Sequence, residues 1–333
     1  MDALQATCID CGKTNLTCAF VRSPKDNNYV SRARKPIAPD DSRYVILRCT
    51  DCGSIFLHPY YHQESFAVYS QERYFTGYFP DNIHVGGGPV ISSNTPESPD
   101  ERNARLRVSM AKARSLLQFA GLEEKSGIRV MEIGCAQGNL LEGFAACGCE
   151  TYGVDVSEQA VLEASRRGLN VTCSRFEDYD CPDEFFDLIV SIETFEHMAG
   201  LDEIARKIKR TLKPGGHLVI QVPNDIECYR RWCFSRIWWM IPPMHIRYFT
   251  RRSVRDIFAM HGLKVSAIRT TGYLLDDIRL IAGWLGRKLR IVDLNQRRTV
   301  RRLYRITRWA VTPLDIALRA MGRHMDLVVL VCK

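Results

Sequence analysis

No stretch of this chain reaches the ~18–20 consecutive apolar residues that span a bilayer. The most apolar and aromatic patch, CFSRIWWMIPPM at 233–244, contains an arginine and two prolines and is far too short. The first residues, MDALQATCIDCGK, show neither a basic leader nor an apolar run, so no export signal is expected there. The thirteen cysteines are odd in number and mostly scattered, which argues against a disulfide framework and for a reducing compartment. These absences lead us to expect a cytoplasmic protein, with peripheral contact at the inner face of a membrane left open. The chain does have the means for a large core, with 333 residues of which 46% are apolar. Its 46 Lys and Arg against 38 Asp and Glu give a net charge of +8, which favours an anionic partner without choosing one.

Two cysteine pairs depart from the scatter: CIDCG at 8–12 and CTDCG at 49–53. Each is a Cys-x-x-Cys-Gly knuckle, in which two thiolates can face one metal. Cys8, Cys11, Cys49 and Cys52 therefore form a candidate tetrahedral zinc site, structural because four protein ligands leave no position open. His58 and His62 are nearby donors that such a site does not need. The alternating YVILRC before the second knuckle reads as a strand. A tyrosine- and phenylalanine-rich stretch follows, either packing or covering a substrate. Residues 81–101, with their glycine, serine and proline, read as a linker or mobile loop, and a helix is expected over 102–120. The resulting division is a zinc-binding module at 1–80, the linker at 81–101 and a catalytic domain at 102–333.

That domain opens with a short apolar strand, IRVMEIG, a glycine-bearing turn, CAQG, a helix candidate, NLLEGFAACG, and a second strand ending in Asp155. This is one βαβ half of a doubly wound α/β sheet, in which ligands sit beyond the carboxyl ends of the strands. Asp155 lies 21 residues beyond Gly134, placed to accept hydrogen bonds from ribose hydroxyls. A dinucleotide site would place its second glycine where Ala136 stands, and no Gly-Lys-Ser/Thr follows the turn. Glu132, just before the turn, would be a poor neighbour for a pyrophosphate and a good one for the amino-acid end of a sulfonium nucleoside.

The succession MEIGCAQGNL, GVDVSEQAV, FEDYDCPDEFFDLIVSIETFEHM and ARKIKRTLKPGGHLVIQVPN resembles the class I S-adenosylmethionine-dependent methyltransferases, especially the small-molecule and lipid group. The resemblance covers about residues 128–270. It implies a Rossmann-like seven-stranded sheet of order 3-2-1-4-5-7-6, the seventh strand antiparallel, and a bound S-adenosylmethionine. Carried over by position, Glu132, Gly134, Ala136 and Gly138 form the first motif, and Asp155 holds the ribose with Val156 beside the adenine. Phe176 and Glu177 meet the adenine edge, and Ile192 and Glu193 form the floor near the methionine part. The knuckles together with PPMHIRYFTRRSVRDIFAMHGL (242–263) resemble a narrower group, the methyltransferases of bacterial cell-surface polysaccharide or secondary-metabolite sugar pathways. Sugar C-methyltransferases of that kind carry a large C-terminal domain that does not occur in this sequence.

Methyl transfer to an alcohol needs alignment and a base. If SIETFEHM (191–198) is helical, Glu193 and His197 share one face beyond the fourth strand. His197 is then the candidate general base, with Glu193 orienting it or touching the acceptor. His245 is the rival, in a segment expected to border the acceptor, where Tyr248 and Arg247 would hold a phosphate or sugar oxygen. Two inserts, 224–247 and 275–325, are basic and aromatic; they suit an acceptor lid, a membrane-surface helix or an oligomer contact. The acceptor expected is a nucleotide-linked or lipid-linked glycan or a related small molecule. Nucleic acid is a weaker alternative, since SIETF stands where an amino-methylating Asn-Pro-Pro-Tyr would be. A non-catalytic binding protein with a residual cofactor site is a third reading.

Overall fold

A computed structural model describes residues 6–22, 44–58, 97–224, 245–271 and 326–333. In chain order its elements are β1 (Leu16–Arg22), β2 (Tyr44–Cys49), β3 (Ile55–His58), α1 (Pro99–Phe119), β4 (Arg129–Ile133), α2 (Asn139–Ala146), β5 (Glu150–Asp155), α3 (Glu158–Arg166) and β6 (Val171–Cys173). There follow β7 (Phe186–Ile192), a 3₁₀ turn (Phe195–His197), α4 (Leu201–Thr211), β8 (Leu212–Pro223), β9 (Arg247–Tyr248), α5 (Arg251–Met260), β10 (Lys264–Thr271) and β11 (Asp326–Cys332). The stretches 59–96, including His62, and 272–325, including the second insert, lie outside the described residues, as do 225–244 of the first insert.

Seven strands form one sheet in the order β10-β11-β8-β7-β4-β5-β6, with β11 antiparallel to both neighbours. Numbered within the sheet this is 3-2-1-4-5-7-6, as the resemblance implied. The strands are apolar on both sides because both faces are covered. Met131, Ile189, Ile220 and Val329 face one core with Ile204 and Ile208 of α4 and Phe258 of α5. Their immediate neighbours Val130, Leu188, Val219 and Val328 face the other core, under Ala113, Leu116 and Leu117 of α1. That alternation is the two-residue period of a strand between helical layers.

The helix expected over 102–120 begins at Pro99, three residues early. Ser98 accepts from the Glu101 N–H while the Glu101 carboxylate accepts from the Ser98 N–H, a reciprocal cap with proline in the first turn. Arg105 in this helix is fully buried and paired with Glu97 and Glu142. Glu142 also accepts from Arg167 at 2.8 Å, so one carboxylate ties α1 and α2 to the end of α3.

The second sheet, β1-β2-β3-β9, is antiparallel and carries the knuckles at its end. Its last strand corrects the reading of 224–247 as an insert through to its end. Residues 246–248 leave the catalytic domain to pair with β3, aligning Phe56 with Arg247 and Ile55 with Tyr248. Leu57 N–H donates to the Ile246 carbonyl at 3.0 Å, and Ile246 N–H donates to the Glu196 carbonyl at 2.9 Å. Arg247 is therefore no surface anion ligand. Its side chain is 1% exposed; Nε donates to Asp10 of the first knuckle at 2.8 Å and Nη1 to the Met198 carbonyl. Ser54 donates to the other oxygen of Asp10, fixing that carboxylate from a second side.

Removing one member of a buried ion pair strands the other, at a cost of about 3–5 kcal/mol. Arg247→Ala should lower stability by that amount in urea unfolding. Arg247→Lys should restore only part of it, because an ammonium lacks the planar fork that reaches Asp10 and Met198 together. A variant within about 0.5 kcal/mol of the parent would show that the two sheets do not depend on this pair.

Candidate active site and cysteine centre

β4 delivers the glycine turn to the carboxyl edge of the sheet. Gly134 has φ +74°, and a Cβ there would lie 2.3 Å from Thr194 Oγ1, so the first turn packs directly on the loop after β7. Ala136 also occupies the left-handed region, at φ 46°. A non-glycine residue pays strain there unless it is pinned. Here the Asp155 carboxylate pins it, accepting from Ala136 N–H at 2.8 Å and from Ser157 N–H at 2.9 Å. Asp155 thus ends β5 facing the turn, beside the position a ribose would take, with Val156 next to it. Burial raises the Asp155 pKa, opposed by these backbone hydrogen bonds.

Glu132 is buried and its Oε2 has no hydrogen-bond partner. Burial pushes its pKa up to about 8, against the pull of Lys112, and Asp155 adds to the rise. An orphaned buried carboxylate beside the turn suits the cationic end of the nucleoside that the resemblance implied. Lys112, on α1, escaped the sequence reading because it is one of many basic residues there. Burial lowers its pKa, while Glu193, Glu132 and Asp326 draw it back. Asp326, the first residue of β11, accepts from Gln221 Nε2 at 3.0 Å.

The adenine-side residues behave differently from one another. Phe176 turns its ring into the core beneath Lys207 Nζ, which stands 5.3 Å from the ring centroid. With the ring buried, the backbone of Phe176 is the part left to meet an adenine edge. Glu177 is engaged by Arg175 at 2.6 Å. Gly138 caps α2, and Ile192 ends β7.

The loop after β7 is not the helix expected for SIETFEHM. Glu193 lies at φ 52°, and only Phe195–His197 form a 3₁₀ turn, so Glu193 and His197 do not share a helical face. The loop reverses tightly because Gly134 leaves room for Thr194. Glu193 Oε1 and Glu196 Oε2 are both sealed from solvent without partners. Glu196, unnoticed in the sequence, is 1% exposed. Burial and then Asp326 push its pKa up to about 8, and burial, Asp326 and Glu196 hold Glu193 well above its ordinary value. The two histidines read as rivals are neighbours: His197 and His245 meet edge to face at 4.6 Å. Burial, and then the His197 charge, hold His245 well below its ordinary pKa, so this imidazole is neutral. Tyr248 is buried and its hydroxyl donates to the His245 carbonyl at 3.1 Å. It holds the histidine segment in place and does not present its hydroxyl to an acceptor.

The four knuckle cysteines come together, all Sγ atoms within 4.8 Å of one another. Cys8 to Cys52 and Cys11 to Cys49 are each 3.6 Å apart. A tetrahedral ion with bonds of ~2.3 Å to sulfur sets sulfur–sulfur edges of ~3.8 Å, so the donor set fits such an ion closely. The two turns match: Gly12 N–H donates to Cys8 O at 2.9 Å and Gly53 N–H to Cys49 O at 3.0 Å. Burial pushes the Cys8 thiol up to about 12 and raises Cys52 as well. A bound cation reverses that preference by favouring thiolate.

The family described as "Methyltransferase domain" matches residues 103–268. A ubiquinone biosynthesis O-methyltransferase of Bradyrhizobium sp. (strain ORS 278) is 31% identical over 105 residues, which are 30% of this chain and 41% of that protein. One from Nitrobacter winogradskyi is 35% identical over 129 residues, 37% of this chain and 47% of that protein. The matched stretch thus spans less than half the length of either relative. Among solved structures, a SAM-dependent methyltransferase from Archaeoglobus fulgidus superposes with TM-score 0.46 at 20% identity, covering 69% of this chain and 97% of that one. Geranyl diphosphate C-methyltransferase from Streptomyces coelicolor gives 0.48 at 16% identity, covering 81% and 97%.

The site's carboxyls set a pH dependence. Unfolded, Glu132 and Glu196 ionise near 4.5; folded, both hold protons to about 8. Stability that is full below the unfolded value is lost as pH rises through the folded one. His245, depressed from 6.5, acts in the opposite sense only below that value. Between about pH 6.5 and about 8 the carboxyls dominate, each adding a slope of at most about 1.4 kcal/mol per pH unit. The urea midpoint should fall across this window, and Glu132→Gln should make the fall shallower. Equal slopes for parent and variant would mean that Glu132 is already charged.

Proposed function

We propose that this chain is an S-adenosylmethionine-dependent methyltransferase that O-methylates a hydroxyl of a small molecule, the enzyme class that both the sheet and the family match support. The observation that carries the reading is the alignment of two half-sites along one sheet edge. Glu132, Gly134, Ala136 and Asp155 end β4 and β5; Glu193, Glu196 and His197 follow β7. The first set would hold S-adenosylmethionine, with Asp155 at the ribose and Glu132 toward the cationic methionine end. That group supplies an activated methyl when bound.

The chain's residues supply alignment and proton removal. Gly134 and Thr194 pack the cofactor turn on the acceptor loop, so the two half-sites are held in fixed register. His197 keeps partial solvent access, 13% by side chain, and neighbours buried Glu196 and His245. An acceptor hydroxyl reaching this cluster would meet carboxyl and imidazole groups largely withdrawn from water, where an imidazole can take up the proton as oxygen attacks.

The acceptor we propose is a sugar hydroxyl of a nucleotide-linked or lipid-linked glycan. The narrower sequence resemblance supports it, as do the basic and aromatic inserts, which suit the phosphate of such a carrier. A phenolic ring hydroxyl is the second reading, favoured by the names of the curated relatives. The cysteine centre we assign to one structural zinc, whose place is to hold the knuckles around Asp10 and hence β9. No helix among the described residues is long and apolar enough to cross a membrane. Contact with a lipid-linked acceptor therefore rests, in this reading, on the inserts.

The test is transfer of labelled methyl to fractions of nucleotide sugars, lipid-linked glycans, quinone precursors and RNA. Label should enter a glycan fraction; entry into quinone precursors or RNA would redirect the acceptor, and entry into none would sink the enzyme. With the acceptor in hand, His197→Ala should lower turnover by about 10²–10⁴-fold while cofactor affinity stays unchanged. Undiminished turnover would reduce His197 to packing. Metal analysis should find one zinc per chain, and a folded, metal-free protein would contradict the zinc assignment.

A further inference from the structure

We propose that Glu196, His197 and His245, with Glu193 beside them, form a second metal site that binds a divalent first-row cation at the acceptor end of the sheet. The inference rests on the methyltransferase reading for its role, but not for its geometry. One donor atom from each of Glu196, His197 and His245 lies within 4.8 Å of the others. His197 Nε2 and Glu196 Oε1 are 3.6 Å apart. An ion bound at ~2.0–2.2 Å needs donors roughly 3.0–3.6 Å apart, so one edge has the required length and the third donor needs only a small side-chain rotation.

Three further observations point to a cation. Glu196 is 1% exposed, yet its Oε2 has no partner, and Glu193 Oε1 is likewise sealed and unpaired. Buried carboxylate oxygens are left unsatisfied only rarely, because the desolvation goes uncompensated. Glu193, Glu196 and Asp326 also crowd one another, and Lys112 is the cation whose field reaches Glu193. His245 is buried edge to face against His197 at 4.6 Å, which brings two imidazoles to one place beside Glu196. Two imidazoles with one or two carboxylates form a mixed nitrogen and oxygen set. That set suits Zn²⁺, Mn²⁺ or Fe²⁺ and leaves positions open for oxygen ligands.

Those open positions define the acceptor further: two adjacent oxygens, as in a vicinal diol or a catechol. A hydroxyl bound to the ion is more acidic than a free one. Cation binding would ionise the Glu193 carboxyl, whose own proton leaves to solvent; that carboxylate takes the hydroxyl proton as the oxygen bonds to the methyl carbon. The carbon–sulfur bond breaks with its electron pair retained on sulfur, giving a neutral thioether. His197 then acts as a ligand, so the fall in turnover expected of His197→Ala is accompanied by weakened metal binding.

The experiment uses full-length protein carrying one zinc per chain, so that the thiolates are occupied. It is titrated with Mn²⁺ in the absence of cofactor and acceptor, and bound ion is read by electron paramagnetic resonance. We expect one Mn²⁺ per chain, with nitrogen hyperfine coupling from imidazole. Glu196→Gln, near-isosteric and checked for folding by circular dichroism, should weaken binding at least about tenfold, and His245→Ala should remove one nitrogen coupling. Failure to bind Mn²⁺ more tightly than Glu196→Gln, or binding without nitrogen coupling, overturns the site. Adenosylhomocysteine binding, measured on the same sample, separates that failure from failure of the methyltransferase reading itself.

Discussion

A single guanidinium fastens the cysteine module to the catalytic sheet. Arg247 reaches Asp10 in the first knuckle and the Met198 carbonyl in the loop after β7, with the ion pair excluded from water on both sides. Its strand neighbours extend the same link through backbone hydrogen bonds, from β3 to Ile246 and from Ile246 to Glu196. Because His245 immediately precedes this segment, the clamp also decides where that imidazole stands. The knuckles are distant in sequence from any reacting group, yet they set the position of a residue within the cluster. The cysteine centre at the front of the chain thereby bears on the geometry at the sheet edge.

The second constraint is electrostatic. Glu132, Glu193 and Glu196 are withdrawn from water, Asp326 stands close to the latter two, and Lys112 offers only partial compensation. Such a site holds protons it would lose in water, and a cation entering it would displace them. In the proposed reading, the sulfonium and ammonium of S-adenosylmethionine would do this at the β4 end and the divalent ion at the β7 end. The two ends meet where Gly134 packs on Thr194, and the strained φ values of Ala136 and Glu193 flank that contact. Strain concentrated there fits a junction that must present two ligands to one another.

Much of this was legible in the sequence. The apolar runs at 129–133, 186–192 and 326–332 carry their own period, and a glycine turn after the first of them marks the ligand edge. The knuckles declared themselves by repetition, and the structure brings all four sulfurs together. What escaped depended on elements far apart in the chain. Lys112 is one basic residue among many on its helix, and Asp326 enters from the last strand after a long insert. Helical spacing misled at Glu193 and His197, because the loop turns back on Gly134 before a helix can form. Arg247 and Tyr248 looked like acceptor ligands since no local signal shows that 246–248 pairs with β3. Most of the first insert and all of the second, 225–244 and 275–325, lie outside the described residues.

The central claim is that the turn after β4, with Asp155 and Glu132, grips a sulfonium nucleoside. Calorimetric titration of the purified protein with S-adenosylmethionine, and separately with NAD, addresses it most directly. The account predicts saturable one-to-one binding of S-adenosylmethionine, accompanied by proton release as Glu132 ionises, and no heat from NAD. Saturable NAD binding with no response to the sulfonium would contradict it.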